Sequence, residues 1–144
     1  MIENDTVRLL RECDAGIRMG VDSIKLVIDK VKGDGLRDTL TRCREQHESL
    51  GDEVRGLLDE YRDGGKKPNP IARSVSWIKT NVEMTMDHSD ETIAALMTDG
   101  CNMGVKSLSR YLNQYAAADE QSRSIAKRLI SIESDAAESL RSNL

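Results

Sequence analysis

Between Leu36 and Tyr61 the chain sets Leu36, Leu40, Cys43, His47, Leu50, Val54, Leu57 and Tyr61 at spacings of four and three in alternation. These side chains therefore share one face of a helix. Every position on that seam is apolar or aromatic except His47. An opening helix over about 5–32, capped at Asn4 or Asp5, carries the stripe Val7, Leu10, Ile17, Val21, Ile24, Ile28 and Val31, with Cys13 and Asp14 competing for one inward place. Gly33-Asp34-Gly35 stops it, with glycine expected to supply a left-handed turn, and so short a connection folds the first two helices into an antiparallel hairpin.

The seam helix is expected to end near 63, ahead of Gly64-Gly65-Lys66-Lys67-Pro68-Asn69-Pro70. Beyond that loop, Ile71, Val75, Ile78 and Val82 predict a short helix over 70–86. It reads as a crossover that lets the next long helix run parallel to the second. Ser89 then caps a helix over 89–116 whose inner stripe is Ala94, Met97, Cys101, Gly104, Leu108, Tyr111 and Tyr115. Asp119 caps the last helix, over 119–142, with Ile125, Leu129, Ile132, Ala136 and Leu140 inward. No internal repeat is expected from this pattern. The predicted fold is all-α: a four-helix bundle of two antiparallel hairpins joined by a crossover that contains a short helix.

Composition narrows the function. The 144 residues fit one domain. A formal charge of −4 gives no electrostatic reason to expect nucleic acid as a partner. No apolar run approaches the ~20 residues needed to cross a bilayer, and MIENDTVRLL lacks the order of a secretory signal, so no membrane partner and a cytoplasmic setting are expected. Cys13, Cys43 and Cys101 are far apart and form no CxxC pair, which suits small buried side chains better than a disulfide scaffold or a zinc site. The methionines at 84, 86, 97 and 103 read as core filler.

The stretch GGKKPNPIARSVSWIKTNVEMTMDHSDETIAALMTDGCNMGVKSLSRYL, with Trp77 in the short helix, resembles bacterial members of the ferritin-like superfamily in layout. That resemblance implies a ferritin-like bundle and raises the question of a di-iron centre. Metal-binding members place a Glu on each of two helices and a Glu-x-x-His on each of the other two, all facing inward. Here the pattern fails. His47 would need a glutamate where Arg44 stands, Glu45 and Glu48 have no histidine three places on, and Glu133 is followed at that distance by Ala136. The third long helix offers Asp99 at its middle. With the first turn centred at 33–34, His47 stands opposite Gly20 and Asp14 opposite Glu53, about 9 Å apart along the bundle. One ion with bonds near 2 Å cannot join them.

Three readings follow. The first is a non-catalytic bundle without cofactor, acting by self-association, as a dimer, or by docking a protein. The second is a degenerate site for iron or another divalent metal, built from Asp14, His47, Glu48, Asp99 and Glu133. The third is a small-ligand or thiol sensor around Gly100, Cys101 and Gly104. As a core residue, His47 is expected to donate to a backbone carbonyl or to a carboxylate such as Asp22 or Glu48. Leucine in its place should then be neutral or stabilising. His88, beside Asp87 and Glu91, reads as a solvated loop histidine. No P-loop, G-x-G-x-x-G, H-E-x-x-H or G-x-S-x-G occurs, and no catalytic residue is assigned.

Overall fold

The computed structural model describes residues 4–61 and 87–144. Four long helices, α1 (Asn4–Val27), α2 (Asp34–Glu60), α3 (Asp90–Gln114) and α4 (Glu120–Leu140), are accompanied by single 3-10 turns at Ile28–Lys30 and Arg141–Asn143. No strand occurs among the described residues. The short helix expected over 70–86, Trp77 and the glycine-rich loop lie outside them. None of the described helices is long and apolar enough to cross a membrane.

The architecture is an all-α four-helix bundle made of two antiparallel hairpins, α1–α2 and α3–α4. Asp90, the first residue of α3, meets the turn after α1, while Thr6 at the start of α1 meets the turn before α4. Helix α3 therefore begins where α1 ends and runs parallel to α2, as the crossover predicted. Each helix packs against antiparallel neighbours, and α1 also touches α4 across the diagonal. That places α1 against three partners, so its buried surface is broader than a single stripe. Leu9, Leu10, Cys13, Asp14, Ala15 and Ile17 are all buried, and the expected competition between Cys13 and Asp14 does not arise.

Both hairpin turns are latched from the opposite hairpin. The Asp90 carboxylate accepts from the backbone N–H of Lys32 at 2.9 Å and of Gly33 at 2.7 Å. Asp5 accepts from Ala117 N–H at 3.1 Å, and Thr6 Oγ1 from Asp119 N–H at 2.8 Å. Asn4 and Asp5 thus lie inside α1 rather than capping it. Gly33 also differs from expectation. Its φ of −80° and ψ of 137° are ordinary extended backbone, and Gly35 is not left-handed either. Glycine is needed there because a Cβ would stand 2.8 Å from an Asp90 carboxylate oxygen. Ser89 and Asp119 do cap α3 and α4, accepting from Thr92 and Ser122 N–H.

Two apolar clusters fill the bundle. One, towards the α1–α2 turn, gathers Ile24, Val27, Leu36, Leu40, Ile93 and Leu140. The other, towards the α3–α4 turn, gathers Leu9, Leu10, Leu50, Val54, Leu108 and Leu129. Between them lies a polar layer, and it holds the candidate site.

Candidate functional site

Helix α2 presents His47 to the core on its apolar seam, with the imidazole 1% exposed. Its partner comes from the far end of the sequence: His47 Nε2 lies 2.7 Å from Glu133 Oε1 on α4. The other ring nitrogen, Nδ1, lies 2.7 Å from the carbonyl oxygen of Cys43, one turn earlier. A carbonyl oxygen only accepts, so Nδ1 carries a hydrogen. One further proton is then shared between Nε2 and the carboxylate. Burial works to lower the His47 pKa, but the hydrogen bonds to the Cys43 side chain, whose Sγ lies 3.5 Å from Nδ1, and to Glu133, with the charge of Glu133, overcome it and raise it from 6.5 to about 10. The layer is therefore an imidazolium–carboxylate pair at neutral pH. The carboxylate is Glu133 rather than Asp22 or Glu48. The backbone-carbonyl bond and the position opposite Gly20 are as expected.

Glu133 escapes the inner stripe drawn from the sequence because that stripe takes Ile132. One residue along a helix is a rotation of about 100°, and the structure buries Glu133 while leaving Ile132 half-exposed. The buried line of α4 is Ser122, Ala126, Leu129, Glu133, Ala136 and Leu140. Its spacing is that of Leu36, Leu40, Cys43, His47, Leu50 and Val54 on α2. His47 and Glu133 hold the same place in the two lines.

The other two helices show the same correspondence, which corrects the expectation that no repeat exists. Gly16-Ile17-Arg18-Met19-Gly20-Val21-Asp22-Ser23-Ile24 on α1 matches Gly100-Cys101-Asn102-Met103-Gly104-Val105-Lys106-Ser107-Leu108 on α3, as G-x-x-M-G-V-x-S followed by Ile or Leu. Each second glycine makes room for the polar residue of its own hairpin. A Cβ on Gly20 would stand 2.7 Å from His47 Nε2, and one on Gly104 would stand 3.3 Å from Glu133 Cδ. The two hairpins are thus related by an approximate internal twofold, and the ion pair joins counterparts across it. The G-x-x-M-G match was the signal in the sequence that pointed to this layer.

The remaining candidates are elsewhere. Asp14 is 3% exposed and sits under Arg18, at 3.2 Å, and Arg55, at 3.8 Å. These cations explain how a carboxylate is tolerated there. Glu48 is exposed and pairs with Arg44, and Asp99 is exposed on α3. Of the five residues weighed as metal ligands, the fold brings only His47 and Glu133 together. No group of three or more His, Cys, Asp or Glu is arranged to hold a metal ion among the described residues.

Cys13, Cys43 and Cys101 are all buried and free. Burial first, then the charge of Glu133, pushes the Cys101 thiol far above its ordinary value. Reactivity requires the thiolate, so Cys101 is poorly placed for thiol chemistry. Met97 is core, but Met103 is 42% exposed and is not the filler expected of it. His88 is exposed at the entry to α3.

No protein-family model matches this sequence, and no curated protein does. The chain is similar in fold to the crystal structure of a DUF305 fragment from Deinococcus radiodurans, with a TM-score of 0.78 over 98% of this chain and 95% of that one, at 7% sequence identity. At that identity the likeness concerns the fold alone.

Proposed function

We propose that the chain is a non-catalytic, ferritin-like helical bundle that acts by binding, as a homodimer or by docking a protein partner, with an ion pair standing where metal-handling relatives keep a di-metal centre. One observation carries the reading: among the described residues, the two ligand candidates that the fold brings together, His47 and Glu133, are hydrogen-bonded to each other at 2.7 Å, and the second imidazole nitrogen is already engaged by Cys43. A first-row metal bonds nitrogen and oxygen at ~2 Å. To take one, His47 would have to give up Glu133 or its backbone anchor, and neither Glu-x-x-His sequence is present to complete the set. The parallel run of α2 and α3 supports the ferritin-like assignment, since it follows from a long crossover between two hairpins. A cytoplasmic setting belongs to the same reading.

The test is to load the purified chain with Fe(II), Mn(II) and Zn(II), desalt it, and measure retained metal together with the His47 imidazole signals by NMR. Substoichiometric metal and an unmoved imidazole are expected. Two ions per chain, with loss of the His47–Glu133 contact, would overturn the assignment. Sedimentation at tens of micromolar checks the dimer; a strict monomer would leave docking of a different protein as the mode of action.

A further inference from the structure

Two thiols stand in the central layer where the opposite hairpin has aliphatic side chains. In the matched lines of α2 and α4, Cys43 corresponds to Leu129, and in the matched segments of α1 and α3, Cys101 corresponds to Ile17. Both thiols line a cavity of ≈ 30 Å³ together with His47, Glu133 and Gly20. Met19, Gly20 and Gly100 on its wall are half-buried, so the space meets solvent between α1 and α3. A water molecule needs about 10–15 Å³ of such space. Hydrogen peroxide, two oxygens long, fits it, and an aromatic hydroperoxide does not.

Burial does not separate the two thiols, at 6% and 5% exposure, but their neighbours do. Cys101 faces the Glu133 carboxylate, whose charge adds to burial in pushing that thiol far up. Cys13, outside the cavity, is pushed up to about 12 by burial first and then by the charges of Glu12 and Asp14. Cys43 meets a cation instead: its Sγ lies 3.5 Å from Nδ1 of the His47 imidazolium. The thiolate is the nucleophile, and a positive ring beside the sulfur is the setting that supports one. A cationic partner and a cavity of oxidant size thus meet at the same sulfur.

We propose that Cys43 is a site of reversible oxidation by hydrogen peroxide, which enters the cavity between α1 and α3 and reacts beside the His47 imidazolium. Sγ attacks one peroxide oxygen, and the O–O bond breaks. The sulfur keeps that oxygen as a sulfenic acid, losing the two electrons that the peroxide gains. His47 gives a proton to the departing hydroxide and takes back the proton of the thiol, so that thiol and peroxide become sulfenic acid and water. A thiol reductant returns the sulfenic acid to the thiol. The site uses no metal and is independent of whether the chain dimerises.

The experiment treats the full-length chain with hydrogen peroxide in the presence of a chelator, removes the peroxide, and unfolds the chain in dimedone, which traps sulfenic acids. Peptide mass spectrometry then reads the adduct at each cysteine. The adduct is expected at Cys43, with Cys13 and Cys101 labelled at least about tenfold less. Cumene hydroperoxide, too large for the cavity, should oxidise Cys43 at least about tenfold more slowly than hydrogen peroxide. Glu133→Gln keeps the shape but removes the charge that holds the second imidazole proton, and should slow the peroxide reaction about tenfold. No adduct at Cys43, or equal labelling of the three cysteines, would overturn the inference. Cumene hydroperoxide reacting as fast as hydrogen peroxide would also overturn it, as would a wild-type rate in a folded Glu133→Gln chain. The comparisons of thiols and of oxidants need no variant, so a misfolded Glu133→Gln would leave the inference fully testable.

Discussion

Replacing His47 by leucine reverses sign once Glu133 is known. On the seam alone leucine is the better residue. In the fold, His47→Leu removes the cation paired with a carboxylate that is 8% exposed between two apolar clusters. Removing one partner of a buried pair costs about 3–5 kcal/mol, because the other charge is left uncompensated. Glu133 borders a cavity through which it can turn towards water, which places the loss at the lower end, about 3 kcal/mol. Glu133→Leu should cost less, about 2 kcal/mol, since a lone imidazole can shed its proton and keep the Cys43 bond. The double variant should return to within about 1 kcal/mol of wild type, because replacing both partners with apolar groups is often neutral. Urea denaturation of all four proteins at pH 7 measures this as a double-mutant cycle with a coupling of at least ~2 kcal/mol. If His47→Leu lies within about 1 kcal/mol of wild type, the pair is not what holds the layer.

Other outcomes follow from the same geometry. The His47 pKa is raised on folding, so its contribution is fully present below about pH 6.5 and is lost as pH climbs towards about 10. Stability should fall over that window by at most ~1.4 kcal/mol per pH unit, and this slope should vanish in the double variant. Gly20→Ala should destabilise by about 2 kcal/mol despite alanine's better helix propensity, since its Cβ would stand 2.7 Å from His47 Nε2. Gly56→Ala, with nothing within 4 Å, should stabilise by about 0.5–1 kcal/mol; thermal melts of both separate crowding from propensity. Asp90→Asn should destabilise at neutral pH. The Asp90 pKa is lowered, chiefly by the Lys32 and Gly33 N–H groups, so its contribution should be present above about pH 4 and fade below it, bringing the two proteins together in acid.

How far the sequence could be read depends on what each residue answers to. The α2 seam was legible from Leu36 to Val54 because the helix faces the core with one narrow stripe; at its end the buried residue is Leu58, with Leu57 and Tyr61 only half-buried. Ser89 and Asp119 were legible because capping is local. Helix α1 was harder, since contact with three helices buries polar Asp14 and Glu12 alongside its leucines. Glu133 was illegible as His47's partner for a simple reason. The two lie 86 residues apart, and a charged residue next to isoleucine yields the inward place in any hydrophobicity pattern. Only the match between the two G-x-x-M-G segments could have revealed the symmetry that puts them face to face.

The exchanged turn latches have a consequence for how the molecule comes together. Asp90 fastens the bend of the first hairpin, and Asp5 with Thr6 fastens the bend of the second. Each corner has bonds of its own, from Arg37 to the Val31 carbonyl and from Arg123 to the Leu112 carbonyl, but the N–H groups of Lys32, Gly33, Ala117 and Asp119 are met from the other hairpin. A first hairpin made alone would keep two backbone N–H groups waiting on water until α3 arrives. The bundle's ends are therefore completed by docking, and each half finishes the other.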